Sequence, residues 1–526
     1  MLEIKDLKSF KLRTVTVGVN LLDRIDSDWE TMWGHIKEDL SVVISVFKEA
    51  VDAAYEEAVN VHGFPAEFIQ TRRVTITPLD LLTRAALRYT KDEGAQIEGI
   101  VKTAKVVDDT ITEILGSEGV FIGGISSLAH KGLNESNRIF FKAVPEVLKN
   151  TKVMNASFNV ASFKHGIDLE SIMAVSLTIA EIAQADREKS ANLTEEDLKP
   201  YLPKIEMIKR IYKVDPQPFW SNNARLAVFN DAPTDNPFMA GGFQGPGEPE
   251  ISVNIGINGA GIIEQAILEI VKTERSYVLA DVIQNIKNYM AVAYEHAEFF
   301  KRLVIQNLRK ISKEKLGYEF DIEDKDGIVD LSIAASDDRD NAGVPTNSFA
   351  RAIEQLGVKF GHHGSLAALA LVIDTVKKAG VFKVSYYGGL SGTFIPVSED
   401  AGMAHVVHEG ALDFNKYMAM TAVCSVGIDM FPVYWPDSVS KEEFAYHLAG
   451  LIADQMAIGV FTGKTTSVRI LPVNIEPGRW VYFLGGAGLL GAAPVWDIGI
   501  EKRAFAPVKF VTAKGRIPAP IFSLKN

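Results

Sequence analysis

Cysteine is almost missing from this chain: Cys424 is the only one in 526 residues. One thiol cannot build an internal disulfide framework, nor a thiolate zinc or iron–sulfur site from this chain alone. A reducing, cytoplasmic home is the expectation. A concentrated basic stretch is missing too. Lys and Arg number 55 against 67 Asp and Glu, for a formal net charge of -12. That balance argues against nucleic acid or an anionic membrane as a partner. Windows such as "SLAALALVIDTV" (365–376) are too short to span a bilayer, and the N-terminal "MLEIKDLKSFKLRTVTVG" carries no signal-peptide pattern. No segment is of low complexity.

What is present is the profile of a globular, enzyme-sized protein, with 47% hydrophobic and 23% charged residues. The length suits two or three ordinary domains, or one large α/β unit. β-Branched runs alternate with helical spacing. "RTVTVGVNLLD" (13–23), "TRRVTITPLDLL" (71–82, stopped by Pro78), "GVFIGGISSLAHKG" (119–132) and "KVMNASFNVAS" (152–162) read as strands. Residues 27–62 and 168–186 read as helices. After a polar, Pro-containing link at 187–222, a second strand series follows: 225–231, 250–259, 329–335, 383–389, 467–473 and 479–486. The division is a first half of about 1–186 and a second of about 223–526. Alternating strands and helices imply an α/β fold.

Several stretches carry candidate chemistry. "FNDAPTDNPFMAGGFQGPGEPE" (229–250) places Asn236 before Gly241 and Gly242 in a long loop, and such loops bind something or cover something. "GINGAGIIEQ" (256–265) is a weak match to a dinucleotide fingerprint, with Glu264 at the third glycine position; tight packing explains it as well. In "FGHHGSLAALALVIDTVKKAG" (360–380), Ser365 reads as helix cap and Gly380 as its end, with His362 and His363 on the preceding loop. Either histidine is a site residue or donates to loop carbonyls. "GGLSGTFIPVSEDAGM" (388–403) offers Ser391, Gly392, Ser398 and Glu399. The acids at 399–400 form either a cation or base site, or the first turn of a helix capped by Ser398. Lys464 and Arg469 in "GKTTSVRILPV" could hold a carboxylate or phosphate; a P-loop is ruled out because position 458 is Ile. Gly485 and Gly486 open a glycine-rich turn. Cys424 is either a small buried hydrophobe or a nucleophile served by His362, His363, His405 or His408.

The blocks "TVGVNLLD", "RVTITPLDLL", "GGISSLAHKG", "DNPFMAGGFQGPGE", "LSGTFIPVSEDAGM", "VCSVGIDM" and "KTTSVRILPV" occur in order. Together with "ASFNVASFKHGIDLESIMAV", "LAALALVIDTVKKAG" and "GRIPAPIFSLKN", they make the chain resemble the domain of unknown function 711 family of bacteria and archaea. The resemblance runs from about Thr14 to the C-terminus. Gln244 stands where the family pattern implies His, and "DDRDN" (337–341) is more acidic than that pattern. Extra length relative to typical members is expected near 187–222, 300–328 and 474–480.

The resemblance implies a fold similar to pyruvate formate-lyase and anaerobic ribonucleotide reductase. That is a ten-stranded α/β barrel of two five-stranded halves, making residues 1–526 one domain. It also implies a homodimer and an ACT-domain protein as partner. Three functions follow. The first is an enzyme with an interior pocket for a small anionic metabolite, using Cys424, His362, His363 or Glu399, with Asp429, Lys464 and Arg469 at the ligand. The second is a metabolite-binding regulator without turnover. The third is a glycyl-radical enzyme. Against the third, "RWVYFLGGAG" (479–488) is not the Arg-Val-x-Gly-aromatic finger, and Val426 replaces the Glu often found two residues after the cysteine. The sequence assigns no cofactor and no metal.

Overall fold

The computed structural model describes residues 2–127, 129–272, 276–485, 489–500 and 506–521. Ten strands form the frame: β1 (Lys11–Val19), β2 (Arg72–Ile76), β3 (Val120–Ser127), β4 (Met154–Ser162), β5 (Leu226–Asn230), β6 (Ile251–Asn258), β7 (Val329–Ala334), β8 (Tyr387–Gly388), β9 (Gly427–Tyr434) and β10 (Thr466–Val473). They lie in one mixed, mostly parallel sheet in the order β8-β7-β6-β1-β2-β3-β4-β5-β10-β9. Strands β1 to β5 run parallel. So do β6 to β8, and β9 with β10. Antiparallel seams join the groups at β1/β6, where Val17 faces Val253, and at β5/β10, where Val468 faces Val228.

The strands are buried along almost their whole length, so side chains alternate between two covered faces rather than between core and water. Helices cover one face. Trp29–Asn60 is started by Asp28, whose carboxylate accepts from Thr31 N at 2.9 Å. Leu279–Leu316, 38 residues long, packs on Trp29–Asn60 and on Ser365–Gly380. Lys441–Thr462 is long and apolar enough to cross a membrane by length and composition, with mean hydropathy 1.3. Within the fold 61% of that stretch is buried, and it packs on Leu169–Ala191 and β10, the setting of a core helix.

Three sequence expectations change. The strand expected over 383–389 shrinks to Tyr387–Gly388. The chain after it turns at Gly389 and then bonds to both sides: Ile333 N of β7 donates to Gly392 O at 2.8 Å, while Val397 N donates to Asp429 O of β9 at 3.0 Å. The 479–486 strand leaves the main sheet. Trp480–Leu484 pairs with Ala492–Pro494 and with Gln217–Trp220, so the expected link at 187–222 carries ordered structure. Ser365 is not the cap of its helix, because Gly364 takes that place at φ +87°, and Gly380 is still helical.

Candidate functional site

Five ionisable side chains meet at one cavity. β1 supplies Arg13, β2 Arg73, β9 Asp429 and β10 Arg469; Glu399 lies in the turn that ends the segment bonded to β7 and β9. All five are more than nine-tenths buried. Arg469 Nε donates to Asp429 Oδ1 at 2.6 Å, and its Nη2 lies 3.3 Å from Glu399 Oε1. Arg13 Nη2 lies 3.4 Å from Glu399 Oε2. Glu399 therefore bridges two guanidiniums loosely, and Asp429 is held by one close bond.

Arg73 differs. Its Nε donates to Thr71 Oγ1 at 3.0 Å, and its guanidinium lies 5.0 Å from the centre of the Phe121 ring. Its Nη1 and Nη2 find no acceptor among the described residues. Burial, and then the charges of Arg13 and Arg469, push its pKa well down, with only Glu399 opposing. With Arg225 counted, four guanidiniums line the cavity against two carboxylates, so positive charge is in excess there. Burial raises the pKa of Glu399 above the usual carboxyl range, although Arg469 and Arg13 pull it back. Arg469 is the opposite case: burial alone would lower it, but Asp429 and Glu399 outweigh that and hold it up.

The cavity measures about 60 Å³, and its walls include Phe238, Leu390, Phe394 and Val426. Arg225 also lines it, but its terminal nitrogens are engaged by Leu148, Thr151 and Met154 carbonyls and by Asn222. Asn236, 1% exposed, accepts from Phe238 N at 2.9 Å through Oδ1; its buried Nδ2 has no partner. Larger grooves exist on the surface, one of about 710 Å³ between helices Glu135–Asn150 and Leu169–Ala191. Its ion pair, Lys142 with Glu93, is exposed and energetically minor. Chemically, the interior cavity can hold an anion and, through Glu399, move a proton. Among the described residues, no group of three or more His, Cys, Asp or Glu could hold a metal ion.

The family described as "Uncharacterised ACR (DUF711)" matches residues 3–484. The chain belongs to that family. A UPF0210 protein of Limosilactobacillus reuteri is 35% identical over 525 residues, covering 99% of this chain and 97% of that protein. A UPF0210 protein of Methanocaldococcus jannaschii is 34% identical over 524 residues, with the same coverage. Against these relatives the expected extra length does not exist. Among solved structures, an anaerobic ribonucleotide reductase aligns with a TM-score of 0.40 at 8% identity, covering 87% of this chain and 70% of that one.

In this DUF711 chain, Glu399, Asp429, Arg469, Asn236 and Gly241 line the cavity together. Gly241 is required by closeness: a Cβ there would sit 2.4 Å from the Phe229 ring. The other expected residues lie outside the lining. Gly242 is one position too far along. Cys424 is 1% exposed in the apolar core, where its Sγ accepts from Gly427 N at 3.3 Å. Lys464 Nζ donates to Thr421 O at 2.6 Å and to Cys424 O, so it braces the cysteine turn and holds no anion at the cavity. His362 and His363 are exposed. Ser391 N binds Asp330 Oδ1 at 2.9 Å, and Gly392 N binds Ser332 Oγ at 3.1 Å. Gly485 N donates to Tyr201 Oη at 3.2 Å, while Gly486 falls outside the described residues.

Ser398 is not the expected helix cap. Its hydroxyl donates to Leu490 O at 2.7 Å, and Asp400 caps Ala401–His408 by accepting from Gly402 N at 2.8 Å and Met403 N at 3.2 Å. The two adjacent acids thus divide the two readings: Asp400 is the cap and Glu399 is free to face the cavity. Gln244 is buried, with Nε2 on Pro249 O and Oε1 accepting from Ser252 Oγ; this is a loop-bracing role. Arg13 and Arg73 went unread as site residues because each sits inside a β-branched run. Their signal was available: a charged residue in a strand with both faces buried must be paired or used.

Proposed function

We propose that this chain is a closed ten-stranded α/β barrel and a cytoplasmic enzyme that binds a small organic anion inside it. The barrel reading rests on the strand order and on residues 392–398, which hydrogen-bond to β7 on one side and β9 on the other. The two sets of five strands joined at the antiparallel seams, β1 to β5 and β6 to β10, would then form one domain, with the cavity at its centre.

The observation that carries the functional reading is the Arg73 guanidinium, buried at a cavity with both terminal nitrogens free of acceptors among the described residues. Burying an uncompensated charge costs several kcal/mol, and an anion on those nitrogens would remove that cost. Glu399 supplies the reactive group in this reading: a buried carboxylate, raised in pKa, beside the place an anion would occupy. Arg13 and Arg469 position it. A binder without turnover has no evident need of such a carboxylate. Cys424 lies outside the cavity lining, so a radical mechanism finds no support in its placement.

The test is thermal unfolding of the full chain against a panel of small anions. Wild type should gain stability that rises with the logarithm of ligand concentration above Kd. Arg73→Met should gain none. Equal gains in both, or none in wild type, would sink the reading.

A further inference from the structure

We infer that the anion is a short-chain monocarboxylate bearing an oxygen on the carbon next to its carboxylate, a 2-oxo or 2-hydroxy acid. The inference rests on the anion-site reading above and adds the chemistry of the ligand.

Three features define it. The first is the head. Arg73 offers two unused terminal nitrogens in one plane, which matches the two oxygens of a carboxylate. Four guanidiniums and two carboxylates line the cavity, an excess of positive charge. A carboxylate gives the Arg73 fork two oxygens and leaves an apolar tail for the rest of the cavity, whereas phosphate would press polar oxygens against Phe238, Phe394 and Val426.

The second is a hydrogen-bond donor with nothing to bond. Asn236 lines the same cavity; its Oδ1 is occupied by Phe238 N, and its Nδ2 is buried and unpartnered. A plain aliphatic acid would leave that donor unpaired. An oxo or hydroxyl oxygen would satisfy it.

The third is the tail. Phe238, Ala334, Phe394 and Val426 form one apolar cluster with Leu390 against it, and the Phe238 and Phe394 rings meet edge to face at 4.9 Å. All five line the cavity opposite in character to the ion chain. A volume of about 60 Å³ is small for a ligand cavity, which favours a short alkyl group over a long one.

The experiment is calorimetric titration of the full chain with 2-oxobutyrate, 2-hydroxybutyrate, butyrate, hexanoate and inorganic phosphate. The oxygenated acids should bind about tenfold tighter than butyrate, the worth of one buried donor satisfied. Hexanoate and phosphate should bind more weakly than butyrate. Asn236→Leu should erase the advantage of 2-oxobutyrate and leave butyrate within about threefold. Arg73→Lys should weaken every carboxylate by tenfold or more, since a point charge cannot replace the planar fork.

Equal affinity for butyrate and 2-oxobutyrate in wild type would overturn the inference, and so would phosphate binding tightest. Either result, if lost in Arg73→Lys, leaves the anion site itself standing. Absence of Arg73-dependent binding for every anion would overturn both. The wild-type comparison decides the matter even where a variant fails to fold.

Discussion

Arg73 and Glu399 line one buried cavity and form no ion pair with each other. Glu399 is shared by Arg13 and Arg469, and Arg73 is left with its charge uncompensated. Arg73 therefore keeps its terminal nitrogens open at the cavity, while Glu399 is already held by two other guanidiniums.

Removing the unpaired charge should stabilise the empty protein. Arg73→Met is expected to raise the unfolding free energy by about 1–4 kcal/mol, the range seen when buried ionic groups give way to apolar ones. Urea denaturation without added anions measures it. A purely structural arginine would give a loss instead.

Glu399→Gln should separate binding from chemistry. In wild type the Glu399 carboxylate would take a proton from C3 of 2-oxobutyrate. The C–H electron pair would pass into an enolate whose oxygen accepts from Asn236 Nδ2, and the proton would return from Glu399. Proton NMR in D2O should therefore show C3 exchange catalysed by wild type, and slowed at least about 100-fold in Glu399→Gln. Calorimetric affinity should stay within a few fold. Unchanged exchange would remove Glu399 from the chemistry.

The pH dependence of folding has a sign set by Asp330. This buried carboxyl accepts from Ser332, Leu390 and Ser391 N–H groups, yet burial dominates and pushes its pKa up to about 6, from 3.8. The folded state keeps that proton to about pH 6, while the unfolded chain releases it near 4. Its contribution is thus fully present at lower pH and is lost as pH rises through about 6. Urea midpoints at pH 5 and pH 7 should show a smaller drop for Asp330→Asn than for wild type. An identical drop would place the titration elsewhere. Gly389 belongs to the same latch. Its φ is +64°, and a Cβ there would sit 2.1 Å from the Asp330 carboxylate, so Gly389→Ala should loosen the loop that carries Leu390.

Cys424 should be replaceable. Cys424→Ala is expected to cost about 1 kcal/mol of stability through a small cavity and a lost acceptor for Gly427 N. Anion affinity should stay within twofold. Because the side chain is 1% exposed, alkylation of the native thiol should be slow. Loss of binding or of proton exchange in Cys424→Ala would return the cysteine to the site.

Much of the frame was readable from local pattern. Strands β1 to β7 coincide with β-branched runs to within a few residues, because their burial on both faces demands such runs. The strand near 387 was not, because residues 392–398 form no regular strand, and only their partners on β7 and β9 define them. The site was half legible. Glu399 and Arg469 stood out as charges beside glycine and strand signals, but periodicity cannot say that Asp400 takes the cap and frees Glu399. Arg13 and Arg73 are 60 residues apart on neighbouring strands, and their convergence is a property of the pairing of β1 with β2. His362 and His363 looked chemical by type alone, and type does not report exposure.

The most direct test of the central claim is a crystal structure of the full chain with 2-oxobutyrate. The account predicts a carboxylate in the cavity, both oxygens about 2.8–2.9 Å from Arg73 Nη1 and Nη2, with the oxo oxygen on Asn236 Nδ2. Ligand bound elsewhere with the cavity filled only by water, or Arg73 turned to an acceptor of the protein itself, would contradict it.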